Sequence, residues 1–158
     1  MSSTVGEVSI AAMSQDEAEA IADWTYTGPY AFYNWTEDEN DLAELLDPGL
    51  RGDRYYSARN ETGELIGFFS FQPEVDVLVI GLGLRPDLTG RGLGGSFITE
   101  GLAFARERFA PRLLRLSVAT FNARAISVYE RAGFVVTRSF MHETNGGTHS
   151  FVEMERPA

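Results

Sequence analysis

The run Gly90-Arg91-Gly92-Leu93-Gly94-Gly95 is the part of the sequence best suited to hold a charged ligand. It follows an apolar stretch and precedes a stretch with helical spacing. Glycines let the backbone approach an anion closely, and the first turn of a helix offers unpaired amides together with the positive end of the helix dipole. The sequence therefore predicts a phosphate-binding loop at the start of a helix.

Two known phosphate-binding patterns fit this loop poorly. The phosphate loop of nucleotide hydrolases requires a lysine, and the chain has none. The dinucleotide fingerprint G-x-G-x-x-G is matched by Gly90, Gly92 and Gly95, but no Asp or Glu lies between residues 108 and 122, where the pattern needs an acid. A loop in which the glycines only shape a tight strand-to-helix turn remains an alternative.

Two segments together resemble the GNAT superfamily of N-acetyltransferases. Arg85-Pro86 followed by Gly90-Arg91-Gly92-Leu93-Gly94 is similar to the family's acetyl-CoA loop, and the segment from Asn122 to Phe134 is similar to its second core motif. The resemblance implies an enzyme that transfers the acetyl group of acetyl-CoA to a primary amine by direct attack in a ternary complex. It implies no metal.

The same resemblance implies roles for individual residues. Tyr129 matches the tyrosine that protonates the departing thiolate, although an ordinary helix tyrosine packed on the sheet is the alternative. Asn122 matches an asparagine that contacts the cofactor, and it also suits a plain helix N-cap. Arg124 or Arg91 is expected to face the 3′-phosphate. The expected cofactor-binding residues are Leu82, Gly83, Leu84, Gly90, Arg91, Gly92, Leu93, Gly94, Gly95 and Asn122.

Two positions depart from the family pattern. Thr89 stands where the loop usually has Arg or Gln, which predicts weaker cofactor binding unless another arginine substitutes. Ser117 stands where enzymes resembling ribosomal-protein alanine acetylases carry their glutamate base. An alkylammonium with a pKa of about 10.4 must still lose its proton before it attacks. The base stays open among four residues that by default are solvated: Glu74, Asp76, His142 and Glu143.

The acceptor is expected to bind between the N-terminal helices and the last hairpin. The predicted substrate-binding residues are Tyr30, Tyr33 and His142, and Asn145 is expected to help close the site. The wider aromatic run suits a cation, although a satellite core under a long loop is its alternative; it comprises Tyr26, Tyr30, Phe32, Tyr33 and Trp35. Protein or peptide amines and small amines, such as a polyamine, amino acid or aminoglycoside, both remain open. An acyl-CoA-binding regulatory module without turnover also remains open.

Composition excludes several other classes of protein. The chain has 158 residues and no cysteine, so disulfides, thiolate metal sites and a cysteine nucleophile are impossible. A net charge of -10 argues against nucleic-acid binding. Residues 1–64 carry fourteen acids and three arginines, whereas residues 85–138 carry nine arginines and four acids. This asymmetry suits an anionic cofactor on the second half and a cationic substrate near the first, or only two differently solvated faces.

The elements needed to position these residues can be read from periodicity and caps. Strands are predicted at residues 8–12, at 55–71 as a hairpin, at 75–84, 113–118, 134–141 and 149–154, and helices at 15–24, 38–46, 94–109 and 123–132. Gly81 and Gly83 are expected to form a bulge. The order predicts an α/β GNAT fold, with a mixed, mostly antiparallel sheet of about six or seven strands flanked by helices. We expect one domain over residues 1–158 in the cytoplasm, without membrane association, and a homodimer is allowed.

Overall fold

Seven strands form one mixed sheet in the computed structural model, which describes residues 6–158. They are β1 (Ser9–Ala12), β2 (Tyr55–Arg59), β3 (Leu65–Glu74), β4 (Val77–Leu84), β5 (Leu113–Ala119), β6 (Val135–Thr144) and β7 (Gly147–Pro157). Their order across the sheet is β1-β2-β3-β4-β5-β7-β6, and only β4 and β5 run parallel to each other. The predicted α/β class and the mixed, mostly antiparallel sheet are confirmed.

Five α-helices lie within this part of the chain, and short-range signals set most of their ends. They are α1 (Gln15–Ala22), α2 (Glu39–Leu46), α3 (Pro48–Arg51), α4 (Gly94–Phe109) and α5 (Ala123–Arg131). The predicted capping box is present, because Ser14 accepts a hydrogen bond from the Glu17 amide and Glu17 accepts one from the Ser14 amide. Asn122 caps α5 by accepting from the Ala125 amide.

Several boundaries differ from the predictions for local reasons. β4 begins at Val77 rather than Val75, because Val75 is exposed and Asp76 has a φ of 62° in the preceding turn. The last hairpin turns over Asn145 and Gly146 alone, so β6 and β7 extend into the predicted loop. Helix α3 was not predicted, and Asp47 caps it. The aromatic run forms two 3₁₀ segments, Gly28–Tyr33 and Trp35–Glu37.

The predicted bulge at Gly81 and Gly83 is wrong. Both glycines pair with β3 in an unbroken antiparallel register, Gly81 opposite Ser70 and Gly83 opposite Phe68. A Cβ at Gly83 would lie 2.5 Å from the Phe68 ring, and one at Gly81 would clash with the Ser70 hydroxyl. The glycines therefore make room for β3 side chains on one face of the sheet, and they leave the ladder regular.

Helices cover the sheet on both faces. Phe69 stacks on Phe97 of α4 with ring centroids 4.6 Å apart, and this face also packs against α5. Phe68, the next residue of β3, points to the opposite face and packs on Trp35 beside the α1–α2 cluster. The sheet thus separates a layer formed by α4 and α5 from a layer formed by α1, α2 and the aromatic run.

Candidate active site

Strands β4 and β5 part midway along their length. Only Val77, Leu78 and Val79 of β4 pair with β5, so the β5-facing edge of the strand from Ile80 to Leu84 has no strand partner in the described chain. A cavity of about 720 Å³ occupies this opening. Because it is lined by residues of both helical layers, the cavity runs from one face of the sheet to the other.

One end of the cavity is the glycine loop. Gly90, Gly92, Leu93, Gly94 and Gly95 line it, and Leu82, Gly83 and Leu84 form the adjoining strand edge. Gly90 and Gly92 have φ values of 69° and 77°, which favour glycine over other residues. Leu93 precedes α4 and makes no side-chain cap hydrogen bond, so its side chain does not satisfy the amides at the start of this helix. The glycine loop and the adjoining strand edge therefore both face the cavity.

Arg124 is the arginine that reaches the glycine loop from α5. A Cβ at Gly90 would lie 2.9 Å from Arg124 Nη1, and the guanidinium stacks 4.1 Å from the centroid of the Tyr30 ring. Arg91 is exposed and donates to the Asp87 carbonyl, so its side chain does not line the cavity. Thr89 lines the cavity and donates to the Pro86 carbonyl. Of the two arginines predicted to face the 3′-phosphate, Arg124 lies beside the glycine loop and lines the cavity, and its contact with a phosphate stays a prediction.

Tyr129 lines the cavity from α5. Burial raises the pKa of its phenol, and the nearby Tyr33 hydroxyl raises it further. Within residues 6–158 no hydrogen bond to this hydroxyl contributes to its pKa. The raised pKa keeps the phenol protonated at neutral and mildly alkaline pH, so Tyr129 is suited to donate a proton.

Asn122 links α5 to the N-terminal aromatic run. Its oxygen caps the helix, and its Nδ2 donates to the Tyr33 hydroxyl over 3.1 Å. Both residues line the cavity, so the two alternatives for Asn122 are compatible: it is an N-cap, and it faces the cavity. Burial raises the pKa of Tyr33, while its hydrogen bonds with Asn122 and the Ala119 backbone lower it. Tyr33 thus helps to fix the helix that carries Tyr129.

The other end of the cavity is lined by ionisable groups of α2 and the hairpin. Asp38 caps α2 and also binds the hairpin tip, whereas Asp41 has no hydrogen-bonding contribution from other described residues. Desolvation raises the pKa of Asp41, and repulsion from Asp38 and Glu44 adds to this, whereas attraction to His142 lowers it. The Asp41 side chain keeps solvent contact. His142 lines the same end. This end is therefore acidic, opposite the end that holds Arg124.

The structure separates three of the four candidate bases from the cavity. Glu74 and Asp76 lie at the far end of β4, where they form ion pairs with Arg115 (3.6 Å) and Arg112 (3.5 Å). Glu143 lies outside the cavity lining, so only His142 of the four lines it. Sequence reasoning missed Asp38 and Asp41 as lining residues, because an acid at the start of a helix is an ordinary capping pattern.

The aromatic run divides between the two predicted roles. Tyr26, Tyr30, Phe32, Tyr33 and Trp35 all line the cavity. Trp35 also packs on the α1–α2 cluster, as the satellite-core alternative predicted. Tyr26 donates to the Leu84 carbonyl over 2.7 Å, and burial raises its pKa to about 12. Tyr30 lies against Arg124, and its predicted role in acceptor binding stays a prediction.

The family model described as "Acetyltransferase (GNAT) family" matches residues 15–134. The chain belongs to the GNAT acetyltransferase family. The predicted family is therefore confirmed, and the predicted reaction class agrees with it. No helix of residues 6–158 is long and apolar enough to cross a membrane, and no three His, Asp or Glu side chains of those residues converge as a metal site.

Among curated proteins, this GNAT chain is similar to mycothiol acetyltransferases. It is 40% identical to the Streptomyces coelicolor protein over 86 residues, which is 52% of this chain and 26% of that protein. It is 30% identical to the Clavibacter michiganensis protein over 135 residues, which is 78% of this chain and 42% of that protein. The chain thus spans less than half the length of the curated relatives it matches.

Among solved structures, the fold is similar to that of spermidine N-acetyltransferase from Vibrio cholerae. A chimera of that enzyme with hSSAT superposes with a TM-score of 0.78 at 18% identity, over 96% of both chains. The Vibrio cholerae enzyme in complex with CoA and spermine gives a TM-score of 0.75 at 18% identity, over 95% of both chains. At this identity the similarity shows the fold, and it confirms the predicted GNAT architecture.

Proposed function

We propose that this GNAT chain is an acetyl-CoA-dependent N-acetyltransferase that acts on a primary amine by direct attack in a ternary complex. One observation carries the proposal: a single cavity is lined by the glycine loop, by the carboxylates of Asp38 and Asp41, and by Tyr129. Catalysis of a two-substrate reaction requires both reactants to meet in one site, and a continuous cavity allows this.

The residues at the arginine end fit acetyl-CoA, which supplies an acetyl group activated as a thioester. The open edge of β4 offers the backbone groups of Leu82 and the Leu84 amide to an extended polar chain, as a neighbouring strand would. The backbone of Gly83 faces β3, and the Leu84 carbonyl accepts from Tyr26. The amides of residues 91–95 and the start of α4 suit the pyrophosphate. Arg124 supplies a cation beside the same loop, and it takes the place of the side chain missing at Thr89.

Tyr129 is the proposed proton donor. As the amine nitrogen forms its bond to the acetyl carbon, the carbon–sulfur bond breaks and Tyr129 Oη donates its proton to the sulfur. The nitrogen then releases one proton as the amide forms, and this proton restores the phenol through solvent. Asn122 and Tyr33 position the helix that carries it through their hydrogen bond. An amide of the β4 edge polarises the carbonyl.

Asp41 is the proposed binding group for the cationic acceptor. It lines the cavity and forms no ion pair with another described residue, so a cationic acceptor would stabilise its charged form against the burial that raises its pKa. His142 beside it, or solvent, receives the proton that the ammonium loses before attack. The spermidine named for the structural neighbours is an amine, which supports this class of acceptor. A cytoplasmic location, one domain over 158 residues and a possible homodimer remain predictions.

A coenzyme A-release assay tests the proposal. Acetyl-CoA is incubated with the protein and a panel of polyamines, amino acids, aminoglycosides and N-terminal peptides, and free thiol is measured. Thiol release that depends on an amine, with an acetylated amine identified by mass spectrometry, is the expected result. Calorimetric binding of acetyl-CoA without turnover on the whole panel would indicate a binding module instead, and lack of binding would contradict the assignment of the cavity.

The variant Asp41→Asn is expected to raise KM for a cationic amine about tenfold, because one charge-assisted contact to the ammonium is lost. The dissociation constant of acetyl-CoA should not change, since Asp41 lies at the opposite end of the cavity. Steady-state kinetics at saturating acetyl-CoA measure the effect. Glu39→Gln is the matched control, because Glu39 lies on the same helix but outside the cavity lining. Equal KM values for the two variants would exclude Asp41 from acceptor binding.

A further inference from the structure

The tip of the β6–β7 hairpin is hydrogen-bonded directly to residues 26–38, which we call the N-terminal segment. These contacts lie at the acceptor end of the cavity, where Asp38, Asp41 and His142 line it. Asp38 Oδ2 accepts from Thr144 Oγ1 over 2.8 Å and from the Asn145 amide over 3.1 Å. Asn145 Nδ2 donates to the Phe32 carbonyl. We call these three contacts the bridge. All four residues also line the cavity, so the bridge is part of its wall.

Local structure holds both sides of the bridge in place. The second carboxylate oxygen of Asp38 is fixed by the amides of Asn40 and Asp41, each 3.0 Å away. Asn145 has a φ of 53° within the two-residue turn, a conformation that asparagine tolerates well. The hydrogen bond from the Asn145 amide lowers the pKa of Asp38, so the carboxylate remains charged at neutral pH. The bridge therefore consists of prepositioned groups.

Aromatic rings pack against Phe32, one of the residues that form the bridge. Phe32 packs edge-on against His149, with centroids 4.8 Å apart, and against Phe121 at 5.6 Å. Phe151 of β7 lies 6.2 Å from the same ring. These contacts join the N-terminal segment to β7 over several residues, so the two elements are attached by packing as well as by hydrogen bonds.

The N-terminal segment is tied to other walls of the cavity as well. The Tyr26 hydroxyl binds the Leu84 carbonyl at the end of β4, and the Tyr33 hydroxyl accepts from Asn122 before α5. Together with the bridge, these contacts connect the segment from residue 26 to residue 38 to three separate elements. These contacts close the wall between the N-terminal segment and the hairpin, whereas an extended peptide of six residues bound across that wall would need an open groove of about 20 Å.

We propose that the acceptor is a small amine, and that the bridge excludes peptide and protein acceptors from the cavity. The inference rests on the proposed acetyltransferase function and names its substrate class. The cavity of about 720 Å³ must hold the acyl end of the cofactor together with the acceptor, which leaves room for a small molecule.

The double variant Asp38→Asn/Thr144→Val tests the bridge. The new amide side chain would still cap α2, because asparagine and aspartate are equivalent N-caps, but its single oxygen cannot serve the helix and the hairpin together. The matched control is Asp47→Asn/Thr148→Val, which alters the cap of α3 and a hairpin threonine outside the cavity lining. Thermal unfolding of both variants shows that they are folded, and calorimetry measures acetyl-CoA binding.

Acetylation of diamines and aminosugars is compared with acetylation of hexapeptides that have a free N-terminus. In the wild-type protein, kcat/KM for small amines is expected to exceed kcat/KM for hexapeptides by at least about 100-fold. In the bridge variant this ratio is expected to fall by about tenfold. The control should keep the wild-type preference. Efficient wild-type turnover of hexapeptides, or an unchanged preference in the bridge variant, overturns this inference alone. Absence of turnover with every amine overturns the proposed function and this inference with it.

Discussion

The variant Tyr129→Phe is expected to lower kcat by about 10² to 10³-fold, because a positioned general acid contributes at least this much to catalysis. The dissociation constant of acetyl-CoA should stay within a factor of about two, since the ring and its packing on Phe134 remain. Steady-state kinetics and calorimetry on the same preparation separate the two effects. A fall in kcat with unchanged cofactor binding identifies the hydroxyl as the proton donor.

The control for this variant is Tyr56→Phe. Tyr56 is a buried core tyrosine outside the cavity that packs on Phe71 and Phe104, so the same atom is removed away from the site. Its kcat should match that of the wild type. Because burial raises the pKa of Tyr129, the wild-type rate should also show no loss through ionisation of this phenol below about pH 10, the ordinary pKa of tyrosine. Normal turnover by the Tyr129 variant would assign proton donation to another group.

The variant Gly90→Val is expected to weaken acetyl-CoA binding by about 100-fold. Gly90 has a φ of 69°, which a β-branched residue strongly disfavours, and its Cβ would lie 2.9 Å from Arg124 Nη1. The loop amides and the arginine would therefore both be displaced from the phosphate end. Calorimetric titration with acetyl-CoA, and with desulfo-CoA as a second ligand with the same phosphates, measures the loss.

The variant Gly63→Val separates strain from function. Gly63 has a φ of 85° in the β2–β3 turn, nothing lies within 4 Å of a Cβ built there, and the residue is outside the cavity lining. It should lose stability through a similar backbone strain and keep full acetyl-CoA affinity. Equal losses of affinity in both variants would show that global destabilisation, rather than the loop, causes the effect.

Short-range patterns determined much of this protein. The Ser14 capping box, the Asn122 cap and the turn at Asn145 and Gly146 each follow from side-chain and backbone interactions over a few residues. The glycine loop and the Asn122–Phe134 segment similarly indicated the family and the helix that carries Tyr129. These features were predictable because the groups that stabilise them are adjacent in the chain.

Predictions for β3 and β4 failed where the outcome depends on how the two strands pair. The glycines at positions 81 and 83 were predicted to form a bulge, but they make room for side chains of β3 in a regular ladder. Glu74 was one of four candidate bases, but the register places it at the end of β3 opposite Val77, outside the cavity lining. Neither outcome can be derived from spacing along one strand, because both depend on the register of its neighbour.

Only the tertiary structure decided which distant segments are joined around the site. The hydrogen bond between Asp38 and Thr144 joins residues 106 positions apart, and the bond between Tyr33 and Asn122 joins residues 89 apart. The parting of β4 and β5 likewise involves two strands separated by the whole of α4. The sequence by itself therefore determined the family, the glycine loop and the helix that carries Tyr129 through local chemistry. The shape of the acceptor end was decided by tertiary packing, because contacts over such separations form only when the complete sheet brings distant segments together.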